Sequence, residues 1–194
     1  MSKLMKFFSS YFAVTSFFLS DPTVTSFVDK NLSTKRIYVD GTLTLDEIVC
    51  IREASNHWVH RTKGLVRMNV VYVDHDKKNF PEKTTYNDIV IRKLNSDSAF
   101  VLLTEKIEKI AVYAFYEQKN LYSEINLVTD RYLTNKICTS VVMHELGHSL
   151  GLSHAKTSNA LMSEGFDKMS EDISDVDIIE FCKIYNCKPD DFKE

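Results

Sequence analysis

The sequence contains little glycine and little proline, 5 and 3 residues respectively among 194. It also lacks Pro-, Ser- or Gln-rich stretches and regular self-similarity, which excludes a disordered linker and a repeat array. Apolar residues make up 44% of the chain and charged residues 26%, the proportions of an ordinary globular protein. The sequence therefore predicts one continuous domain with a substantial core, preceded by a short extra segment.

Neither sign of charge is in large excess. The chain has 24 Lys and Arg residues against 27 Asp and Glu residues, which gives a formal net charge of -3. Acidic and basic residues are mixed along the sequence, so no basic stripe is present that could compensate a phosphate backbone. Nucleic acid is therefore not an expected partner.

The apolar run near the N-terminus is short. Residues 7–19 are uncharged and rich in aromatics, but they are too few to span a bilayer as a helix, so no stable membrane span is expected. Two lysines precede this run and Pro22 follows it, which resembles the layout of a secretory signal peptide. Phe and Ser stand where Leu and Ala are usual, so a helix packed on the domain is the alternative. We expect residues 1–33 to form a separate segment, cleaved near residue 26, and the protein to be secreted or extracytoplasmic.

The four cysteines are even in number: Cys50, Cys138, Cys182 and Cys187. They permit two disulfides in an oxidising compartment, with three possible pairings. No C-x-x-C pair occurs, which argues against a cysteine-zinc site. Because Cys138 and Cys182 each lie within an apolar helical pattern, buried thiols are the alternative to disulfides.

Short runs rich in β-branched and aromatic residues indicate about five strands after residue 33. The predicted strands are Ile37–Val39, Leu65–Val73, Asp88–Arg92, Lys109–Tyr116 and Ser123–Thr129.

Three helices are predicted among these strands and after them. Thr44-x-x-Glu47 has the form of a capping box and opens the first helix. The second helix should run from about Asn135 to Leu150. Ser174-x-x-Asp177 heads the third, in which apolar residues recur at three- and four-residue steps.

The most informative segment is His144-Glu145-Leu146-Gly147-His148, within the second helix. Residues four apart on an α-helix lie about 40° apart around its axis, so His144 and His148 can bind one ion side by side. Gly151 can adopt a positive φ and turn the chain, which would bring His154 back to the ion. Three imidazoles leave the fourth position of a tetrahedral zinc open for water, as in catalytic sites.

Glu145 is adjacent to a ligand but points differently around the helix. It is placed to accept a proton from the attacking water and to pass it to the leaving amine, which predicts metal-assisted hydrolysis. H-E-x-x-H alone can arise by chance on an amphipathic helix, but the added Gly151 and His154 make coincidence far less probable. The other histidines, His57, His60 and His75, form no comparable constellation.

The segment HELGHSLGLSH, with Met162 eight residues beyond His154, resembles the metzincin zinc peptidases, closest to the matrix-metalloproteinase (matrixin) type. The resemblance implies an α+β zincin fold, with a twisted mixed sheet of about five strands, an active-site helix, a Met-turn beneath the metal and a C-terminal helix. This catalytic domain should cover residues 34–194. One catalytic zinc is implied, held by His144, His148 and His154, with Glu145 as the catalytic base.

The sequence also departs from the matrixin pattern. Tyr113 and Asn126 stand where matrixins place histidines for a second, structural zinc, so that ion is not expected. Ser163-Glu164 replaces the usual Tyr-Pro after the Met.

The predicted function is a zinc-dependent endopeptidase. Its substrate should be a protein or peptide that lies extended along the edge strand around residues 110–115. Ser140 and Val141, one turn before His144, and Phe166, which matches a wall residue of matrixins, should line the substrate pocket. The alternative is a zinc hydrolase that acts on a non-protein peptide, such as a peptidoglycan cross-link.

Overall fold

A computed structural model describes residues 34–73, 85–98, 101–102, 114–119, 121–131, 134–164 and 169–193. Several predictions from the sequence lie outside these residues. They concern the N-terminal segment 1–33, His75, Tyr113, Phe166 and the first part of the predicted strand at 109–116.

Five strands form one mixed sheet in the order β2-β1-β3-β5-β4. Their bounds are Thr34–Asp40 for β1, Arg67–Val73 for β2, Asp88–Leu94 for β3, Ala114–Gln118 for β4 and Ser123–Val128 for β5. The pairs β1–β2, β1–β3 and β3–β5 are parallel, whereas β4 runs antiparallel to β5 at one edge. The predicted α+β fold with about five strands is confirmed.

The neighbouring interior strands β1 and β3 are held together by buried apolar residues and by one ion pair. Ile37 of β1 and Ile91 of β3 are fully buried, as expected of parallel strands covered by helices. Arg36 lies directly opposite Asp88 in the β1–β3 register, and its guanidinium donates two hydrogen bonds to that carboxylate, of 2.7 and 3.0 Å. Asp88 has no exposed surface, so this bidentate pair fixes the register at the start of β3.

Three α-helices lie wholly within the described residues, and each begins at a capping residue that the sequence contains. α1 spans Leu45–Arg61 and α3 spans Asp175–Tyr185, and both have a complete capping box, at Thr44/Glu47 and Ser174/Asp177. α2 spans Asn135–Ser149 and is capped by the Thr134 side chain, which accepts from the backbone N–H of Ile137. A 3-10 helix, Pro189–Phe192, follows α3. Among the described residues, no helix has the length and apolarity needed to cross a membrane.

α1 and α2 pack against each other and are tied together at two places. The Cys50–Cys138 disulfide joins them, and the indole N–H of Trp58 donates to the carbonyl oxygen of Met143 at 2.9 Å. Trp58 is fully buried in the core, so this hydrogen bond is shielded from water. The apolar side of α2 that carries Cys138 is therefore anchored on α1.

The second disulfide, Cys182–Cys187, joins α3 to the residue after its left-handed cap, Asn186. All four cysteines are thus paired, and the sequence-based alternative of buried thiols is not what the structure shows.

Candidate metal centre

Three histidine side chains converge on one point. The Nε2 atom of His154 lies 3.3 Å from that of His144 and 3.2 Å from that of His148, and all three ligand atoms lie within 4.8 Å of one another. Two nitrogens bound at 2.0–2.1 Å to one tetrahedral zinc are about 3.4 Å apart. The donor set therefore fits zinc, and the predicted ligands are brought together.

The turn after α2 places the third histidine. Gly151 has a φ of 89°, which a residue with a side chain rarely adopts. The N–H of Leu152 donates to the carbonyl of Gly147 at 3.0 Å, and that of Gly151 donates to the carbonyl of His148 at 2.9 Å. These two bonds form a Schellman motif, which ends the helix and reverses the chain towards His154. The predicted role of Gly151 is confirmed.

Backbone carbonyls orient two of the rings. Nδ1 of His144 lies 2.7 Å from the carbonyl oxygen of Leu161, and Nδ1 of His148 lies 2.8 Å from that of Leu152. A carbonyl oxygen can only accept a hydrogen bond, so each Nδ1 carries the proton. The Nε2 lone pairs are consequently free to point at a shared ion, since a hydrogen bond at the other ring nitrogen is the usual way in which a metal-binding imidazole is oriented.

Burial also keeps these rings neutral. Burial lowers the pKa of His144 from its ordinary value of 6.5 to about 4. It lowers the pKa of His148 well below that ordinary value, and it also lowers the pKa of His154. Neutral imidazole is the form that binds a metal, so the site is prepared for an ion without prior loss of protons.

Glu145 follows His144 on α2 and is buried, with 8% of its surface exposed. Burial raises its pKa to about 8. A divalent cation on the neighbouring imidazoles would favour the carboxylate form and lower that pKa again. The position suits a group that exchanges a proton near neutral pH.

The sequence profile of the matrixin family matches residues 53–186. This chain belongs to the matrixin family. Matrixins are zinc peptidases of the metzincin type, so the protein is a zinc metallopeptidase. No curated protein sequence matches it.

The fold of this matrixin is also found in a solved structure. The crystal structure of archaemetzincin from Methanopyrus kandleri superimposes with a TM-score of 0.53, at 14% sequence identity, over 82% of this chain and 99% of the other. At this identity the similarity concerns the fold, which is zincin-like in both proteins.

The segment predicted to form the Met-turn packs in the core and contacts His144 through the carbonyl of Leu161. Leu161 and Met162 are buried, and both backbone N–H groups donate to the carboxylate of Asp177, at 2.9 and 3.0 Å. Asp177 also accepts from the backbone and hydroxyl of Ser174, at 2.8 and 2.7 Å. One buried carboxylate therefore caps α3 and holds the turn whose Leu161 carbonyl orients His144.

Two of the predicted pocket residues are described, and both are buried on α2. Ser140 lies one turn before His144, and its hydroxyl donates to the carbonyl of Glu171 at 3.4 Å. Val141 is its neighbour, with 5% of its surface exposed. Their role in binding substrate stays a prediction.

Sequence reasoning missed one residue at the site. Tyr116 of β4 has its ring centroid 5.5 Å from that of His148. Burial raises the pKa of Tyr116 to about 12, with a smaller contribution from the Glu145 carboxylate, so the phenol stays protonated. The strand pattern predicted that residue 116 belongs to β4, but nothing in the sequence indicated which ring it would contact.

Proposed function

We propose that this matrixin is a zinc-dependent endopeptidase, with His144, His148 and His154 as the ligands of one catalytic ion and Glu145 as the general base. The observation that supports this best is the convergence of three Nε2 atoms, two of them from α2, which also carries the buried carboxylate of Glu145. Zinc bound there would acidify a water molecule and polarise the scissile carbonyl.

The protein's own groups carry the proton. A carboxylate oxygen of Glu145 accepts it from the attacking water and then donates it to the nitrogen of the departing amine. Because Glu145 is shielded from solvent, water cannot compete for that proton, and the same oxygen can serve both steps. The two carbonyls of Leu161 and Leu152 keep His144 and His148 in the tautomer that leaves Nε2 available.

The substrate should bind extended along β4. Within the described residues β4 pairs with β5 alone and lies at the edge of the sheet, next to α2. A peptide added to such an edge is held by backbone hydrogen bonds, which favours unfolded or loop segments of proteins. Ser140 and Val141, with Phe166, would then line an apolar pocket for the residue after the cleaved bond.

Glu145→Ala tests the assignment of the base. The variant should retain zinc, since all three imidazoles remain, and lose nearly all turnover, since the proton acceptor is gone. Zinc content by atomic absorption and hydrolysis of a peptide pool are measured on the same samples. Glu180→Ala, which removes an exposed carboxylate on α3, is the control and should match the wild type. Turnover at the wild-type rate in Glu145→Ala would refute this mechanism.

A cleavage survey tests the endopeptidase assignment and the pocket. Mass spectrometry of a mixed peptide pool, with and without a chelator, should show internal cuts before Leu- or Phe-sized residues that vanish with the chelator. Burial of such a side chain contributes about 1.5–3 kcal/mol, enough for roughly a ten- to hundredfold preference over Gly or Asp. Release of amines from cell-wall material but not from casein would favour the non-protein peptide as substrate. Among the described residues, no observation supports that alternative.

We also propose that the protein is exported. Two disulfides are compatible with an oxidising compartment. Intact-mass measurement on protein from the exporting host should give an N-terminus near Phe27, and a chain that retains residues 1–26 would contradict cleavage at this position.

A further inference from the structure

The ring of His148 is bounded by three other rings. The imidazoles of His144 and His154 meet it edge-on, with centroid distances of 4.8 and 4.7 Å. The third neighbour is Tyr116, tilted by 37° at 5.5 Å. Among the rings that the structure describes, Tyr116 is the one outside the triad that contacts a ligand histidine. Its position therefore limits how the His148 ring can rotate or shift.

Tyr116 is itself held at both ends. Its backbone pairs with Ile125 in the β4–β5 ladder. Its hydroxyl donates to Oε1 of Gln118 at 2.7 Å and lies 3.2 Å from Oγ of Ser123. The side-chain amide of Gln118 donates in turn to two carbonyls of the β4–β5 turn, those of Lys119 and Tyr122, at 2.8 and 3.1 Å. A phenol fixed at its tip and at its backbone cannot change rotamer without breaking this cluster.

We infer that Tyr116 is a positioning residue: its ring, clamped by the β4–β5 turn, holds the His148 imidazole in the orientation that binds the metal. The inference rests on the proposed function, because it takes His148 as a ligand. It connects β4, along which the substrate is proposed to lie, with the proposed metal site through the contact between Tyr116 and His148. A displacement of β4 would move the tyrosine ring and, through it, one ligand.

The hydrogen bond of His148 to the backbone does not by itself fix the orientation of the imidazole ring. Its single bond to the Leu152 carbonyl fixes one ring atom but permits the plane to swing about that contact. The Tyr116 ring blocks the swing by packing, so an aliphatic side chain at 116 should not replace it, whereas Phe should.

The test compares Tyr116→Leu, Tyr116→Met and Tyr116→Phe with the wild type in the full-length protein. Zinc affinity is measured by competition with a chromophoric chelator, and the visible spectrum of the cobalt(II)-substituted protein reports the ligand geometry. Loss of a contact that orients a ligand typically weakens metal binding by about 10- to 100-fold. We expect that loss in the Leu and Met variants, with an altered cobalt spectrum and with kcat reduced far more than KM is raised. Tyr116→Phe keeps the ring but not the hydroxyl contacts that hold it, so its zinc affinity should lie closer to that of the wild type than to that of the Leu variant.

Tyr122→Leu is the matched control. Tyr122 lies in the same hairpin as Tyr116, and its hydroxyl contacts Glu124. Side chains alternate between the two faces of a strand, so Glu124 lies on the face of β5 opposite to that of the buried Ser123 and Ile125. Tyr122→Leu should keep wild-type zinc affinity and spectrum. Far-UV circular dichroism of the metal-free variants identifies any that do not fold, and Met is included because its flexible chain fills space that Leu leaves empty.

Two results would overturn the inference: wild-type zinc affinity and cobalt spectrum in folded Tyr116→Leu or Tyr116→Met, or an equal loss in Tyr122→Leu. Failure of the proposed function is a separate outcome. In that case the wild type itself would show no zinc binding by the histidines or no chelator-sensitive hydrolysis.

Discussion

Gly147 lies directly against the sulfur of Met162: a β-carbon at this glycine would come within 2.3 Å of Met162 Sδ and 3.3 Å of the Trp58 ring. The glycine of the H-E-L-G-H segment is therefore where α2, the segment Leu161–Met162 and the core Trp58 meet. Its lack of a side chain allows α2, which carries two of the three proposed ligands, to approach Met162 closely.

Gly147→Ala should accordingly destabilise the protein despite the better helix propensity of Ala. Alanine gains about 1 kcal/mol over glycine inside a helix, whereas overpacking of a core costs about 1–3 kcal/mol. A contact of 2.3 Å forces the Met162 side chain to move, and because Met162 is buried in the core the overpacking should outweigh the gain in propensity. Urea unfolding of Gly147→Ala, of Met162→Ala and of the double variant measures the coupling. Strict additivity of the two changes would mean that the close contact does not limit the helix.

His154→Ala should weaken zinc binding by orders of magnitude and reduce turnover with it. The variant leaves two imidazoles on one helix, and a catalytic zinc site needs three protein ligands. Zinc affinity by competition titration is the measurement, with His57→Ala, an exposed histidine beside Asp172, as the control. Wild-type affinity in His154→Ala would point to another third ligand, and Glu164, whose charge acts on His154, would be the first to examine.

Asp177→Asn should lower both stability and zinc affinity. Oδ2 of Asp177 accepts three hydrogen bonds, and Oδ1 accepts one from the N–H of Met162. In Asn an NH2 group replaces one of these two oxygens, so a donor would face a donor. Hydrogen bonds to a charged group contribute about 1.5–3 kcal/mol each, and we expect a loss of roughly that size or more. Asp175→Asn, on the same turn of α3 but largely exposed, should cost less than about 1 kcal/mol. Equal effects of the two changes would contradict the special role of Asp177.

The two disulfides should differ in their contribution to stability. Cys50–Cys138 closes a separation of 88 residues and Cys182–Cys187 one of 5. Loop-closure entropy gives about 4–5 kcal/mol for the long loop and about 2 kcal/mol for the short one. Urea unfolding of Cys50→Ala/Cys138→Ala and of Cys182→Ala/Cys187→Ala tests the order. A smaller loss from the first pair than from the second would refute it.

Titration of His144 should lower the stability of the metal-free protein on mild acidification, whereas Glu145, whose pKa burial raises to about 8, acts in the opposite direction over the same range. The unfolded chain binds a proton at His144 near pH 6.5, whereas burial lowers the pKa of the folded state to about 4. Unfolding therefore takes up a proton between these values, so the stability present above pH 6.5 declines as the pH falls towards 4. His144 alone contributes a loss of about 2 kcal/mol between pH 7 and pH 5. Thermal melts of the wild type and of His144→Gln at pH 7 and pH 5, in the presence of a chelator, isolate this contribution as the difference between the two profiles. The same change in melting temperature between the two pH values in both proteins would contradict it.

The sequence predicted those parts of the site that local signals encode. Both capping boxes, at Thr44 and Ser174, and the reversal at Gly151 depend on residues within one or two turns, and all three are confirmed. The strand predicted at 109–116 is described from Ala114 and continues to Gln118, because its end depends on pairing with Ser123 across the turn.

Contacts between distant segments could not be predicted in this way. The Cys50–Cys138 pairing follows from the packing of α1 against α2, and three pairings were open until that packing was known. The same holds for Trp58 and Met143, which are 85 residues apart, and for Tyr116 and His148. Neither pair has a local signature, since an aromatic residue in a strand or helix is ordinarily a core residue.

The Cys50–Cys138 bridge also bears on what the proposed endopeptidase could do to itself. A single cut anywhere between these two residues would leave an N-terminal and a C-terminal piece that remain covalently joined. The C-terminal piece would still contain the zinc helix, and the N-terminal piece would still contribute Trp58 or stay attached close to it. Self-cleavage in that part of the chain would therefore yield a nicked enzyme that migrates as one species until a reductant separates its halves.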